Sequence, residues 1–199
     1  MSTTLEARAE NSAESHPKPL RVPLLLERLD ALSDGRRRHW LDLGRAQSEL
    51  IERLACGPNR LVVADRAAPD PACGISGPLP AVPPGGFDLI LCWDWPNYLS
   101  LDALARFGAT LAQVAHPGST LHALIHYRND RMPEMPQAFR LTADGRLEGG
   151  AGADGQRDAP RYSPKALEKS MSDWQVDRTL LLNDGMQEFV LTPRRGSTA

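Results

Sequence analysis

Gly44 and Asp65 are the two residues whose type and place suit chemistry on a nucleotide-like ligand. Gly44 directly follows a short apolar run, Trp40–Leu43. A missing Cβ at that point lets the backbone approach a ligand closely at a helix N-terminus. Asp65 closes a second apolar run, Leu61-Val62-Val63-Ala64, where an acid accepts hydrogen bonds from both hydroxyls of a ribose. The acid argues for a ribose without a 2′-phosphate, because two negative charges repel. His122 and His126 lie four apart, and on a strand that spacing sets them on one face about 13 Å apart, too far to share a metal. No metal site is supported. His126, at the carboxyl end of its strand, is a candidate general base, with a histidine satisfied by its neighbours as the competing reading. Arg36-Arg37-Arg38-His39 is the dense basic run and reads as a solvated turn.

These residues need elements to hold them. Val22 to Leu32 has apolar residues at helical spacing and ends near Ser33-Asp34-Gly35. The runs at Trp40–Leu43 and Leu61–Ala64 are almost continuously apolar, as in strands covered on both faces of a parallel sheet. Ser48–Ala55 between them predicts a helix. In the Pro/Gly-rich stretch Pro69–Gly86 the local signal fails, and a further strand is expected near Gly74–Ser76. Phe87–Trp93 predicts the clearest strand. Ser100 caps a helix over Leu101–Val114, stopped by His116-Pro117-Gly118, and Thr120–His126 follows as a strand. Asp144-Gly145 marks a tight hairpin, and Gly149–Gly155 a flexible loop. Ser163-Pro164 opens a helix to about Ser172. Trp174–Leu182 and Gln187–Thr192 form a closing hairpin around Asn183-Asp184-Gly185. The succession predicts an α/β, doubly wound, mostly parallel Rossmann-like sheet that ends in an antiparallel pair. Residues 1–20 read as a disordered leader. Residues 21–195 read as one domain with a loop and hairpin insertion at about 128–161.

The chain of 199 residues, with 23 Lys+Arg against 25 Asp+Glu, suits one domain with a full core. Its net charge of -2 argues against a chain-wide footprint for nucleic acid or an acidic membrane. The aromatic share of 6% leaves little for base stacking. Cys56, Cys73 and Cys92 are too sparse for a disulfide framework and fit a reducing compartment. No apolar run approaches the roughly 20 residues that span a bilayer. The expected address is the cytoplasm.

In this order the elements resemble class I S-adenosylmethionine-dependent methyltransferases, from about His39 to Pro193. Trp40-Leu-Asp-Leu-Gly-Arg-Ala-Gln-Ser-Glu-Leu is similar to that family's first motif, a strand, an acid and a glycine loop. Leu61-Val-Val-Ala-Asp65 resembles its second strand with the ribose-binding acid. Phe87-Asp-Leu-Ile-Leu-Cys-Trp-Asp resembles the fourth-strand motif, Val114-Ala-His-Pro-Gly-Ser-Thr-Leu the turn before the fifth strand, and Trp174–Thr192 the closing hairpin. The resemblance implies S-adenosylmethionine as cofactor, held by Asp42, Gly44, Arg45, Asp65, Arg66, Ser76 and Trp93. It implies a small-molecule or protein acceptor that no motif names.

The departures are specific. Ala46 and Ser48 stand where the family's glycine loop carries its second and third glycines. Ile75 replaces the acid that would hold the adenine amino group, with Ser76 beside it as a partial substitute. Losing one such hydrogen bond weakens binding by roughly 1–3 kcal/mol. Methyl transfer is an in-line displacement that needs alignment and removal of a proton. Asp94-Trp-Pro-Asn-Tyr98 is similar to the Asn/Asp-Pro-Pro-Tyr loop of enzymes that methylate amino groups of nucleic acids. It has one proline and an interposed Trp95, so that specificity does not carry over. Asp94 and Tyr98 are candidates to face substrate, and Trp93 or Trp95 to flank the cofactor; packing is the competing reading for both tryptophans. Two hypotheses stand: a methyltransferase with weakened or lost activity, and a non-catalytic module that keeps the fold and binds a protein partner. An oxidoreductase would need G-x-G-x-x-G after the first strand, and neither later glycine is present. An open cleft above Gly44 and Asp65 favours the first hypothesis. Arg45, Gln47 or Trp93 filling that cleft favours the second.

Overall fold

The computed structural model describes residues 19–47, 51–52, 57–150 and 155–194. Its largest sheet has the order β10-β11-β5-β4-β2-β3. The strands are β2 (His39–Asp42), β3 (Arg60–Val63), β4 (Phe87–Trp93), β5 (Ala115–His126), β10 (Trp174–Leu181) and β11 (Met186–Pro193). β3, β2, β4 and β5 run parallel, while β11 is antiparallel to β5 and β10 to β11. All seven residues of β4 are buried, as a continuous apolar run in the middle of a sheet requires.

Among the described residues, two helices pack on one face. α2 (Leu101–Ala112) starts at Ser100, whose Oγ accepts a hydrogen bond from Ala103 N at 3.2 Å. α3 (Pro164–Ser170) starts at Ser163 with Pro164 in its first turn. Their apolar stripes, with Leu104, Phe107, Leu111 and Leu167, close on Leu41, Ile90 and Leu121 of the sheet. The other face is covered by α1 (Pro23–Ala31) and a small antiparallel sheet. That sheet has β8 (Arg146–Gly149) between β1 (Leu20–Arg21) and β7 (Phe139–Leu141). Leu25, Leu29, Phe139 and Leu147 meet Trp40, Leu91 and Trp93 there. β6 (Arg131–Pro133) and β9 (Gln156–Asp158) form a separate two-stranded antiparallel ladder. Among the described residues no helix is long and apolar enough to cross a membrane.

The fold class expected from the sequence is the one observed, with five local corrections. The strand expected near Gly74–Ser76 does not form: Asp70 and Gly74 exchange backbone hydrogen bonds of 3.1 and 2.7 Å in a turn. Gly74, at φ +83, lies so close to α2 that an added Cβ would meet Phe107 Cβ at 2.6 Å. β5 begins at Ala115, not Thr120, because His116–Ser119 bulges out of register and Ser119 Oγ ties the bulge to Phe87 O at 2.6 Å. Correspondingly, α2 stops at Ala112. Gly149 ends β8, although it was expected in a loop; residues 151–154 lie outside the described set. Of the expected leader, residues 1–18 lie outside that set, and Leu20 is a buried strand residue paired with Leu147. Of the helix expected over Ser48–Ala55, only Ile51 and Glu52 are described, both helical.

Candidate functional site

The candidate cofactor residues fall into two groups. The first is buried at the carboxyl ends of β2 and β4. Asp42 is 1% exposed. Its Oδ1 accepts hydrogen bonds from Gly44 N at 2.8 Å and from Trp93 Nε1 at 2.6 Å, while Oδ2 has no partner. Burial pushes this carboxyl up to about 6, against the pull of those two donors. Trp93 ends β4 at φ +51, a conformation that bulky residues seldom adopt. Its indole is 3% exposed and stacks on Phe139 of β7, with centroids 5.8 Å apart and an interplanar angle of 27°. A Cβ built at Gly44 would lie 2.9 Å from Trp93 Cδ1 and Nε1. The space that glycine leaves is therefore occupied by this chain's own indole.

The second group lies nearer the surface. Asp65 is exposed, at φ +50, and its Oδ1 accepts from Ala46 N at 3.1 Å. Arg45 is exposed. Arg66 donates to the carbonyl of Ser76 and, at 2.9 Å, to that of Pro78. Ser76 Oγ donates to Asp70 Oδ2 at 2.5 Å, and with the backbone of Ala72 and Cys73 it holds the Asp70 carboxyl down at about 2. The side chain of Ile75 is buried in the core on the α2 side, so an acid at this position would point into apolar packing. The two groups meet where Ala64 N donates to Asp42 O at 2.7 Å, next to the Ala46 to Asp65 bond.

The loop after β4 is a structural knot. Asn97 Nδ2 donates to Asp94 O at 2.7 Å and to Leu124 O at 2.8 Å, and its Oδ1 accepts from His126 N at 2.8 Å. Asp94 is fully buried; its Oδ2 accepts from Gln137 N at 3.1 Å, Oδ1 has no partner, and burial pushes it up to about 7. Tyr98 donates its hydroxyl toward the carbonyls of Pro133 and Met135, at 3.1 and 2.9 Å, and lies under the Arg157 guanidinium. Desolvation, with the Asp94 charge behind it, raises the Tyr98 phenol. Trp95 is buried in the core on the α2 side. His126, buried, is pushed down to about 4 by desolvation, and its Nε2 has no partner. Its imidazole is therefore neutral at physiological pH.

His122 has another partner. Its Nε2 donates to Glu188 Oε1 at 3.0 Å, and the same carboxylate accepts from Leu25 N at 2.7 Å and, through Oε2, from Leu24 N at 3.1 Å. Glu188 on β11 thereby caps α1, whose own N-cap residue Val22 offers no side-chain acceptor. Glu188 and Phe139 were not singled out from sequence. The signal for Glu188 was there, one acid inside the apolar run of the last strand; for Phe139 there was none. Among the described residues no group of three His, Cys, Asp or Glu is placed to hold a metal.

No family model matches this chain, and no curated protein matches its sequence. Solved structures do match. One is the 1,6-didemethyltoxoflavin-N1-methyltransferase of Burkholderia thailandensis, with bound 1,6-didemethyltoxoflavin and S-adenosylhomocysteine. It aligns at a TM-score of 0.52 and 13% identity over 86% of this chain and 76% of that one. The fold is methyltransferase-like. The pyocyanin biosynthetic protein PhzM aligns at a TM-score of 0.50 and 14% identity over 86% of this chain, which spans 55% of PhzM. Among the described residues, the positions in question are engaged within the chain itself. The cradle at Gly44 holds the Trp93 indole, one oxygen of Asp65 is taken by Ala46 N, and Ile75 is turned into the core.

Proposed function

We propose that this chain is a methyltransferase-like protein whose S-adenosylmethionine-dependent activity is weakened to the point of loss, and that it works by binding a partner. The observation that carries this reading is the Trp93 indole seated against Gly44 and bonded to Asp42. A ligand that uses Gly44 as its cradle must first displace a side chain that is buried, hydrogen-bonded and stacked on Phe139. The loop substitutions Ala46 and Ser48 act in the same direction. Asp42, Gly44 and Asp65 remain at the strand ends, where the fold would use them, and Arg45 and Asp65 remain exposed beside the closed cleft. The near-neutral charge disfavours nucleic acid as the partner.

The test is calorimetric titration of the full chain, and of Asp65→Ala, with S-adenosylmethionine and S-adenosylhomocysteine. The expected result is no saturable heat and no melting shift at about 1 mM ligand, where a ligand at ~100 Kd would add ~2.7 kcal/mol. Micromolar binding that disappears in Asp65→Ala would overturn the proposal and restore the enzyme.

A further inference from the structure

Away from the strand ends, two arginines face each other. β1 and β8 pair antiparallel with Leu20 opposite Leu147 and Arg21 opposite Arg146. Residues directly opposite in such a pair point to the same side with Cβ atoms about 5 Å apart, and like charges there destabilise the sheet. Leu20 and Leu147 are buried, so Arg21 and Arg146 point outward together. Arg146 is partly neutralised by Asp144, whose Oδ2 lies 2.9 Å from its Nε. Arg21 has no ion pair among the described residues.

Arg21 and Arg146 both line two adjoining clefts, of about 560 Å³ and 420 Å³. The larger has Leu180, Leu181 and Leu182 of the closing hairpin as its apolar wall, and Leu26 of α1 lines the smaller. The larger volume suits a small-molecule ligand, which takes about 300–1,000 Å³. The charges select the head group. The two clefts share Arg21 and Arg146 and set Asp184 and Asp144 beside them; Asp144 pairs with Arg146, so Arg21 is the cation left without an ion pair among the described residues. The N–H groups of Leu24 and Leu25 at the start of α1 are already taken by Glu188, so the arginines are the donors on offer.

We propose that Arg21 and Arg146 form the head-group end of a binding site for a monoanionic amphipathic small molecule, a carboxylate on an apolar body. The carboxylate takes the place between the two guanidiniums and removes their repulsion, while the body lies along Leu180–Leu182. Neither Gly44 nor Asp65 lines these clefts, and the site is independent of whether the space at Gly44 opens.

The experiment is a titration of the full chain with sodium octanoate followed by amide chemical shifts, with octan-1-ol and inorganic phosphate as separate probes. Octanoate is expected to saturate and to shift the amides of Arg21, Arg146 and Leu180–Leu182. Octanol and phosphate, each lacking one half of the recognition, are expected to bind at least tenfold more weakly. Arg21→Gln is expected to lose at least tenfold in octanoate affinity with its melting temperature level or raised, since it removes a repulsive neighbour. Arg21→Lys is expected to fall between. Octanoate binding that is absent at millimolar concentration, matched by octanol, or unchanged in Arg21→Gln would overturn the site.

Discussion

Replacing Trp93 by alanine should open the cleft at Gly44 and raise affinity for S-adenosylmethionine. Closure rests on two interactions that the structure shows. The bond from indole Nε1 to the buried Asp42 carboxyl, 2.6 Å long, is worth about 1.5–3 kcal/mol as a hydrogen bond to a charged group. The stack on Phe139 at 5.8 Å adds about 0.5–1.5 kcal/mol. Together they hold the cleft shut by about 2–4.5 kcal/mol, so their removal should tighten binding by roughly 30-fold to 2,000-fold. The same change removes a nearly buried indole and should cost about 3–5 kcal/mol of stability. Trp93→Phe keeps a ring against Phe139 but loses the N–H, and should gain affinity by less. Trp93→Gly should be about 1 kcal/mol less destabilised than its size alone predicts, because glycine relaxes the positive φ. Isothermal calorimetry gives the affinities and urea melts the stabilities. A folded Trp93→Ala variant that binds the cofactor no better than wild type would show that the indole is not what keeps it out.

Three further outcomes follow from the same packing. Glu188→Ala should leave His122 and the Leu24 and Leu25 N–H groups without their acceptor, cost about 3–5 kcal/mol, and speed amide exchange at the start of α1. Asn97→Ala removes three buried hydrogen bonds from the loop after β4 and should destabilise by about 3 kcal/mol in chemical melts. Asp94, held up at about 7, binds its proton more tightly in the folded chain than in the unfolded one. Its contribution is therefore full at low pH and lost as pH rises through about 7. The stability of Asp94→Asn relative to wild type should accordingly be greatest near pH 8 and shrink toward about pH 5. A pH-independent difference would show that Asp94 titrates normally.

Local signals explain which parts of the fold were legible. The run of β4, apolar but for Asp88, the Ser100 and Ser163 caps and the Asn183-Asp184-Gly185 turn each act within a few residues, so their elements were expected and are found. The two-residue β1 exists only because β8 pairs with it. The exposed, polar β9 has no periodicity to read; it is a strand through β6 alone. The missing strand at Gly74–Ser76 was an expectation drawn where proline and glycine leave no pattern.

By itself the sequence determined the parallel core, the closing hairpin and the retention of Asp42, Gly44 and Asp65 at strand ends, because hydrophobic period and turn chemistry act locally. Whether Gly44 faces a ligand or a neighbour was decided only by tertiary structure. Trp93 reaches Asp42 across 51 residues of chain, and Glu188 reaches His122 across 66. Such pairings depend on how whole elements settle against one another in a close-packed interior, where any space a glycine leaves is filled by whichever side chain the packing brings there.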